Sequence, residues 1–372
     1  MTRAKPYVSV AFVNRNDGYG GDLEERIAKF IDYYAYYARM WPGLFEFVVV
    51  DWNPPPDRPR LADAFPWEQL GDVVHVDVPP EVHAAVAGQR GRKMLDYYGR
   101  NVAIRRSRGE FSLVINQDIF LSASIMKFIA DRQLSNRYFY RADRCDFDFE
   151  PCRRVAPENF EDAARAATFQ IHRRHRSTDE PISPQVGHDE LDLIGSGPEP
   201  GDHVDRNLGL IDCRASAELR RETERLAVQW RWMRWRRESL TEWHSTVGKD
   251  IFHRSFHLHT NAAGDFLLAP RAAFAKVYGL YETVEIYLHT DTYAVVQLFA
   301  AGYNQMIFAA PHRVYHADHD RSARAGFNES MVFGEHEAAW SSILRHERSY
   351  RLNSRSWGLI DRSLPLHRAK TV

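Results

Sequence analysis

Apolar positions in the first third of the chain come in short dense runs separated by polar turns. Residues 7–13 (YVSVAFV) form a β-branched, apolar run that stops at Asn14-Arg15-Asn16-Asp17-Gly18. After Gly20, Gly21 and Asp22, the apolar residues Leu23, Ile27, Phe30, Ile31 and Tyr34 recur at helical spacing and mark one buried face. Residues 45–50 (FEFVVV) read as a second buried strand. It ends at Asp51-Trp52-Asn53 and a triple proline, Pro54 to Pro56, through which no ladder continues. Residues 73–78 predict a third strand, 93–108 a helix, and 111–115 a fourth strand ending at Asn116-Gln117-Asp118. Strands alternating with helices predict an α/β fold, with a mainly parallel sheet flanked by helices. In such folds ligands bind at the carboxyl ends of the strands. Here three of those ends carry polar groups.

Between about 146 and 250 the rhythm breaks. This stretch is rich in charge, proline and glycine, and 215–243 is compatible with a helix loaded with Arg and Trp, among them Trp230, Trp232, Trp235 and Trp243. It reads as a partly helical insertion. Alternation then resumes, with strand-like 265–268, helical 271–276, an apolar helix over 291–301, a strand at 306–309 and a polar-capped segment, 314–319. The expected organisation is 1–145, 146–255 as the insertion, and 256–372.

Charge and cysteine content narrow the partners. Lys and Arg total 49 against 50 Asp and Glu, which excludes a strongly basic nucleic-acid binder on bulk charge. Three cysteines make no disulfide framework and fit a reducing compartment. No apolar run reaches bilayer-spanning length, and the start of the sequence lacks the apolar core of a secretory leader. A cytoplasmic location is expected, at most peripheral to a membrane face. The 215–243 stretch is compatible with an anionic membrane surface, a self-association interface, or a helix folded back with its Arg residues paired to Glu218, Glu222 and Glu224.

Four groups of residues invite chemistry. Asn116-x-Asp118 past a buried strand can hold a hard divalent cation that also takes phosphate oxygens, and it is equally a turn signal. Thr290-Asp291 heads an apolar helix, either as a cap or as a carboxylate poised over a hydroxyl. His316-Ala317-Asp318-His319 offers an imidazole that would complete a metal site given a partner. His253, His257 and His259 have zinc-like spacing without a matching second pair. Tyr33, Tyr34, Tyr36 and Tyr37 read as half-buried core. Arg105, Arg106 and Arg108 either steer an anion or coat a helix end.

Gly99-Arg100-Asn101-Val102-Ala103-Ile104 with Ser107-Arg108-Gly109-Glu110-Phe111, taken with these pieces in their order along the chain, resembles a GT-A fold glycosyltransferase of the large family 2 group. The runs Asp51-Trp52-Asn53-Pro54-Pro55 and His259-Thr260-Asn261-Ala262-Ala263-Gly264-Asp265-Phe266 resemble a bacterial subgroup of it tied to surface polysaccharide. Asn116-Gln117-Asp118 stands at the DxD position, and Gly264-Asp265-Phe266, Thr290-Asp291 and Val314-Tyr315-His316 follow. The resemblance covers about 7–120 and 256–320. It implies a nucleotide-sugar donor and a glycan or other hydroxyl acceptor, with Mn²⁺ or Mg²⁺ as cofactor.

By the same resemblance Asn14, Arg15, Asn16 and Asp17 frame the nucleoside, and Asp51 with Asn53 meets the base. Arg100 holds ribose or diphosphate, Asn116 and Gln117 border the donor, and Asp118 with His316 holds the cation. Asp291 acts as base in an inverting transfer, with Asp265 its rival. Two departures stand out: Asn116 replaces the first DxD carboxylate, and Thr290 replaces a glutamate. A non-catalytic assembly subunit and a sugar nucleotidyltransferase are the alternatives.

Overall fold

The computed structural model describes residues 5–88, 92–174, 177, 202–205, 209–213, 258–284, 290–320 and 329–368. The helical stretch expected at 215–243, together with His253 and His257, lies outside the described residues.

The parallel block comes first. Strands β1 (Val8–Asn14), β2 (Phe45–Trp52), β3 (Val73–Val78) and β4 (Phe111–Val114) are buried along their whole length. They pair in parallel in the order β3-β2-β1-β4. Apolar residues on both faces make each strand a nearly continuous hydrophobic run, because helices cover both sides. Period-two alternation then divides β1. Val8, Val10 and Phe12 join one core with Leu23, Ile27, Phe30, Ile31 and Tyr34 of α1 (Leu23–Met40). Ala11 and Val13 join the other. After the short α2 (Leu61–Ala64) and α3 (Pro80–Ala87), this second face is covered by α4 (Asp96–Arg106), which brings Val102, Ala103 and Ile104.

Past β4 the chain makes β5 (Ile119–Leu121), α5 (Ala123–Ala130), β6 (Tyr138–Ala142), β7 (Arg144–Phe147), α6 (Pro157–Ala166) and β8 (Thr168–His172). It continues as β9 (His203–Asp205), β10 (Leu210–Cys213), β11 (Leu267–Pro270) and α7 (Arg271–Val277). Last come α8 (Thr290–Ala300), β12 (Asn304–Phe308), β13 (Val314–Ala317), α9 (Glu329–Leu344) and β14 (Leu366–Arg368).

The strands form a ten-stranded sheet, β14-β3-β2-β1-β4-β11-β6-β12-β10-β9, and a four-stranded sheet, β5-β13-β7-β8. The fold is therefore α/β with a large central sheet between helices. In the ten-stranded sheet parallel pairing is confined to the first block and the β6–β12 pair, since β11, β10, β9 and β14 run antiparallel to their neighbours. Strands from the 1–145, 146–255 and 256–372 stretches lie side by side in both sheets, and β7 itself crosses position 145. Among the described residues no helix is long and apolar enough to cross a membrane.

The α1 tyrosines are core, as their pattern implies: Tyr33, Tyr34 and Tyr37 are buried, and Tyr36 packs against them. Their hydroxyls also do a second job. Tyr34 Oη donates to the Ile119 carbonyl at 3.1 Å and Tyr33 Oη to the Leu121 carbonyl, so α1 fixes the start of the small sheet.

Arg105, Arg106 and Arg108 each take a contact within the fold. Arg105 lies 4.6 Å over the Trp357 ring, and Arg106 donates to the Gly358 carbonyl at 2.8 Å. Arg108 pairs with Glu46 at 2.6 Å and also binds Asp72.

Candidate functional site

The small sheet assembles the chemistry. In the β13–β5 ladder His316 stands opposite Ile119, the residue after Asp118. In the β13–β7 ladder it stands opposite Asp146. Register partners share a face, so the pairing sets His316 beside Asp146, and it brings the neighbour of Asp118 alongside His316.

Asp118 is buried. One of its oxygens, Oδ2, accepts from Arg26 Nη1 at 2.7 Å and lies 3.5 Å from His319 Nε2. The other, Oδ1, is buried with no hydrogen-bond partner and lies 4.0 Å from His316 Nε2. Burial is the largest influence on His319 and holds its imidazole below the ordinary histidine range, so at neutral pH it offers a lone pair. Arg26 also donates to Asp22 Oδ1 at 2.8 Å and to the Tyr19 carbonyl at 2.6 Å, which ties the loop after β1 to Asp118. Gly20 sits in this knot at φ +78°. A Cβ there would come within 2.6 Å of Arg26 Nη2 and 2.8 Å of His319 Nδ1.

Asp118, His316 and His319 each turn one ligand atom toward the others, all within 4.8 Å. A carboxylate and two imidazoles suit a divalent transition-metal ion better than Mg²⁺, which keeps to oxygen. The unpartnered buried Oδ1 is the atom such an ion would satisfy. A second group at the same spacing is Asp146, His316 and Asp318. Its Asp146 already has partners on both oxygens. Oδ1 faces Arg144 Nε at 2.8 Å and His316 Nδ1 at 3.2 Å, and Oδ2 faces Arg144 Nη2 at 3.0 Å and His172 Nε2 at 3.1 Å. Burial alone would raise the Asp146 carboxyl. Hydrogen bonds from His172 and His316 and the Arg144 charge hold it well below the usual range. The first group is the one that fits a metal.

A hydrogen-bonded chain leads away from Asp146. Arg144 bridges it to Asp265. Asp265 Oδ1 accepts from Asn116 Nδ2 at 2.7 Å, and Asn116 Oδ1 accepts from Arg100 Nη2 at 2.6 Å. Arg100 pairs with Asp96 at 3.0 Å and donates to the Gly264 carbonyl. The Gly264 N–H donates to Asp291 Oδ2 at 3.0 Å. The structure thus joins Asn116, Arg100, Asp265 and Asp291 in one network.

The network also sets its two carboxylates apart. Against the opposing effect of burial, the Arg144 charge holds the Asp265 carboxyl well below its ordinary range. An ion-paired carboxylate of that kind is a poor general base. Asp291 is only partly buried, with Oδ1 accepting from the Thr292 N–H at 2.9 Å.

The first-loop residues form a separate group between β1 and β2. Asn14 Oδ1 accepts from the Arg15 N–H at 2.7 Å. Arg15 donates to the Asn53 carbonyl at 2.7 Å and to Asp17 Oδ2 at 2.7 Å. Asn16 donates to the Pro59 carbonyl at 2.9 Å, and Asn53 to the Lys93 carbonyl at 2.9 Å. Asp51 Oδ2 accepts from the Leu61 N–H at 2.8 Å, while Oδ1 is buried without a partner. Burial, helped by the Asp77 charge, pushes its carboxyl up to about 6. Gln117 is buried beside Asp118. His259, once grouped with a zinc-like set, is buried against Asp143 with Nε2 3.0 Å from Oδ1.

Four site residues escape the sequence reading: Arg26, Arg144, Asp146 and His172. Two signals were present. Arg26 falls on the apolar stripe of α1, and Arg144 and Asp146 alternate with Cys145 and Phe147 in a strand pattern. His172 carries no such mark.

No family model and no curated protein matches the sequence. Among solved structures the chain is similar to one described as GalNAc-T7 with UDP, GalNAc and Mn²⁺, at 10% identity and a TM-score of 0.44. The match covers 94% of this chain and 53% of that one, so the chain spans about half that protein's length. A likeness this slight bears on neither fold nor function.

Proposed function

We propose that the chain is a glycosyltransferase of the GT-A type, moving a sugar from a nucleoside-diphosphate donor to a hydroxyl of a glycan acceptor with the help of a divalent cation. The observation that carries the reading is the unpartnered Asp118 Oδ1, facing two imidazoles just past the carboxyl end of β4. That is where open α/β sheets bind nucleotides. The motif resemblance of the sequence supports the same reading.

Asp118 with His316 and His319 would hold the cation, Mn²⁺ in preference to Mg²⁺. When bound, it neutralises charge gathering on the departing diphosphate. The chain's own residues do the rest. Asp51 presents Oδ1 to an N–H of the base, and the loop from Asn14 to Asp17 with Asn53 frames the nucleoside. Arg100, locked by Asn116 and Asp96, fixes the Gly264 peptide, and that peptide fixes Asp291. Asp291 takes the acceptor proton as the acceptor oxygen bonds to the anomeric carbon and the bond to phosphate breaks, with inversion. Asp265, tied to Arg144, anchors the network and is not the base.

The reading extends to a cytoplasmic enzyme of surface-polysaccharide assembly, organised as a donor half (1–145), an insertion and an acceptor half. The non-catalytic alternative drew on Asn116 as a lost metal ligand. Asn116 has another task, since it bridges Arg100 and Asp265.

The test is thermal stability of the purified chain against a panel of nucleoside diphosphates, with and without Mn²⁺. One nucleotide is expected to raise the melting temperature by a few degrees only when Mn²⁺ is present. Asp118→Asn, which keeps an acceptor for Arg26, is expected to abolish the metal requirement and the shift together. No shift with any nucleotide would overturn the proposal.

A further inference from the structure

Building on that reading of the metal site, we propose that Asp146 is the positioning residue that sets the His316 tautomer, with Arg144 as its clamp. The argument is one of donors and acceptors. Each Asp146 oxygen already faces an Arg144 nitrogen, and His172 Nε2 lies at 3.1 Å from Oδ2. An ionised carboxylate only accepts. The atom 3.2 Å from Oδ1, His316 Nδ1, must therefore carry a proton. A neutral imidazole with its proton on Nδ1 has its lone pair on Nε2. That is the atom turned toward Asp118 Oδ1, 4.0 Å away.

Two lone pairs facing each other across that gap repel unless a cation lies between them. Asp146 thus builds the cation seat without touching the cation. The β13–β7 register makes the arrangement rigid, because His316 and Asp146 are direct neighbours across the ladder. Arg144 holds Asp146 from the other side and spans to Asp265, so the orientation of His316 is linked to the network that ends at Asp291. Partners of this kind, one shell out from a metal, typically contribute 10–100-fold in metal affinity.

The experiment pairs metal binding with a spectroscopic readout. Mn²⁺ is titrated calorimetrically into the full chain and into Asp146→Asn, Asp146→Ala and Asp318→Asn. Separately, ¹⁵N NMR of the imidazoles in the metal-free wild-type chain reports which His316 nitrogen is protonated. The expected results are a proton on Nδ1, Mn²⁺ affinity about 10–100-fold weaker in both Asp146 variants, and unchanged affinity in Asp318→Asn.

A proton on Nε2 in the wild-type chain overturns the proposal whether or not the variants fold. Wild-type affinity in Asp146→Asn overturns it too. A loss in Asp318→Asn as large as in the Asp146 variants would make Asp146 a ligand, and would equally overturn it. If the wild-type chain binds no Mn²⁺, the metal reading and this inference fall together. If it binds Mn²⁺ as expected but turns over no nucleotide sugar, only the transferase reading falls.

Discussion

Asn116 shows what a single side chain decides. In sequence it looks like a metal motif missing a carboxylate. In the structure its amide does what no carboxylate can: Oδ1 accepts from Arg100 while Nδ2 donates to Asp265, at 2.6 Å and 2.7 Å. Asn116→Asp would put two carboxylates in contact and remove the donor that Asp265 accepts from. The expected outcome is a loss of about 1–3 kcal/mol in urea unfolding, with no gain in Mn²⁺ affinity.

Glu282 gives a pH prediction at the same scale. Burial is the main cause that pushes its carboxyl up to about 7, against hydrogen bonds from the Gly358 N–H and Asn101. The folded chain then keeps a proton that the unfolded chain releases at the ordinary glutamate pKa. Stability should therefore fall as pH rises from about 4.5 to about 7. Glu282→Gln keeps the acceptor oxygen used by Asn101 and Gly358. It is expected to remove a slope of as much as about 3 kcal/mol across that window, read from denaturant melts at each pH. A variant with the wild-type slope would contradict it.

Among the elements, the strands the sequence made plain are those buried on both faces. β1 to β4 are dense apolar runs because helices cover both sides. The short strands β5, β7 and β8 were unread, because three to five residues carry little periodic signal. They are also the strands that carry or adjoin Asp118, Arg144, Asp146 and His172. Their placement depends on α1, whose tyrosine hydroxyls hold β5 by its carbonyls.

The contact of α4 with β1 is equally tight. A Cβ on Gly99 would fall 2.3 Å from Val13 Cγ2. Gly99→Ala is expected to cost about 1–3 kcal/mol by overpacking, despite the better helix propensity of alanine. Adding Val13→Ala should recover part of the loss. Additive costs in the double variant, measured by thermal unfolding, would rule the contact out.

For the whole molecule, the proposed function draws on residues from both sheets. The ten-stranded sheet delivers Asn14, Asp51 and Asn116 at or just past its strand ends, and the four-stranded sheet delivers His316 and Asp146. Arg26 joins the loop after β1 to Asp118, so a ligand ordering that loop and a cation at Asp118 should stabilise the chain together. The joint requirement for nucleotide and Mn²⁺ expected in the thermal test would be this coupling made measurable.

The sequence by itself determined the α/β class, the parallel block, the α1 face and the identity of the polar strand ends, because burial leaves a period in the chain. It also offered Asp118 and His316 as candidates, since few residue types bind cations. Only the tertiary structure decided that these two meet, that Asn116 is a bridge, that Asp265 is neutralised by Arg144, and that Asp146 stands behind His316. Those are facts of tertiary contact, most of them between residues more than a hundred apart in sequence, and such contact leaves no trace in local pattern.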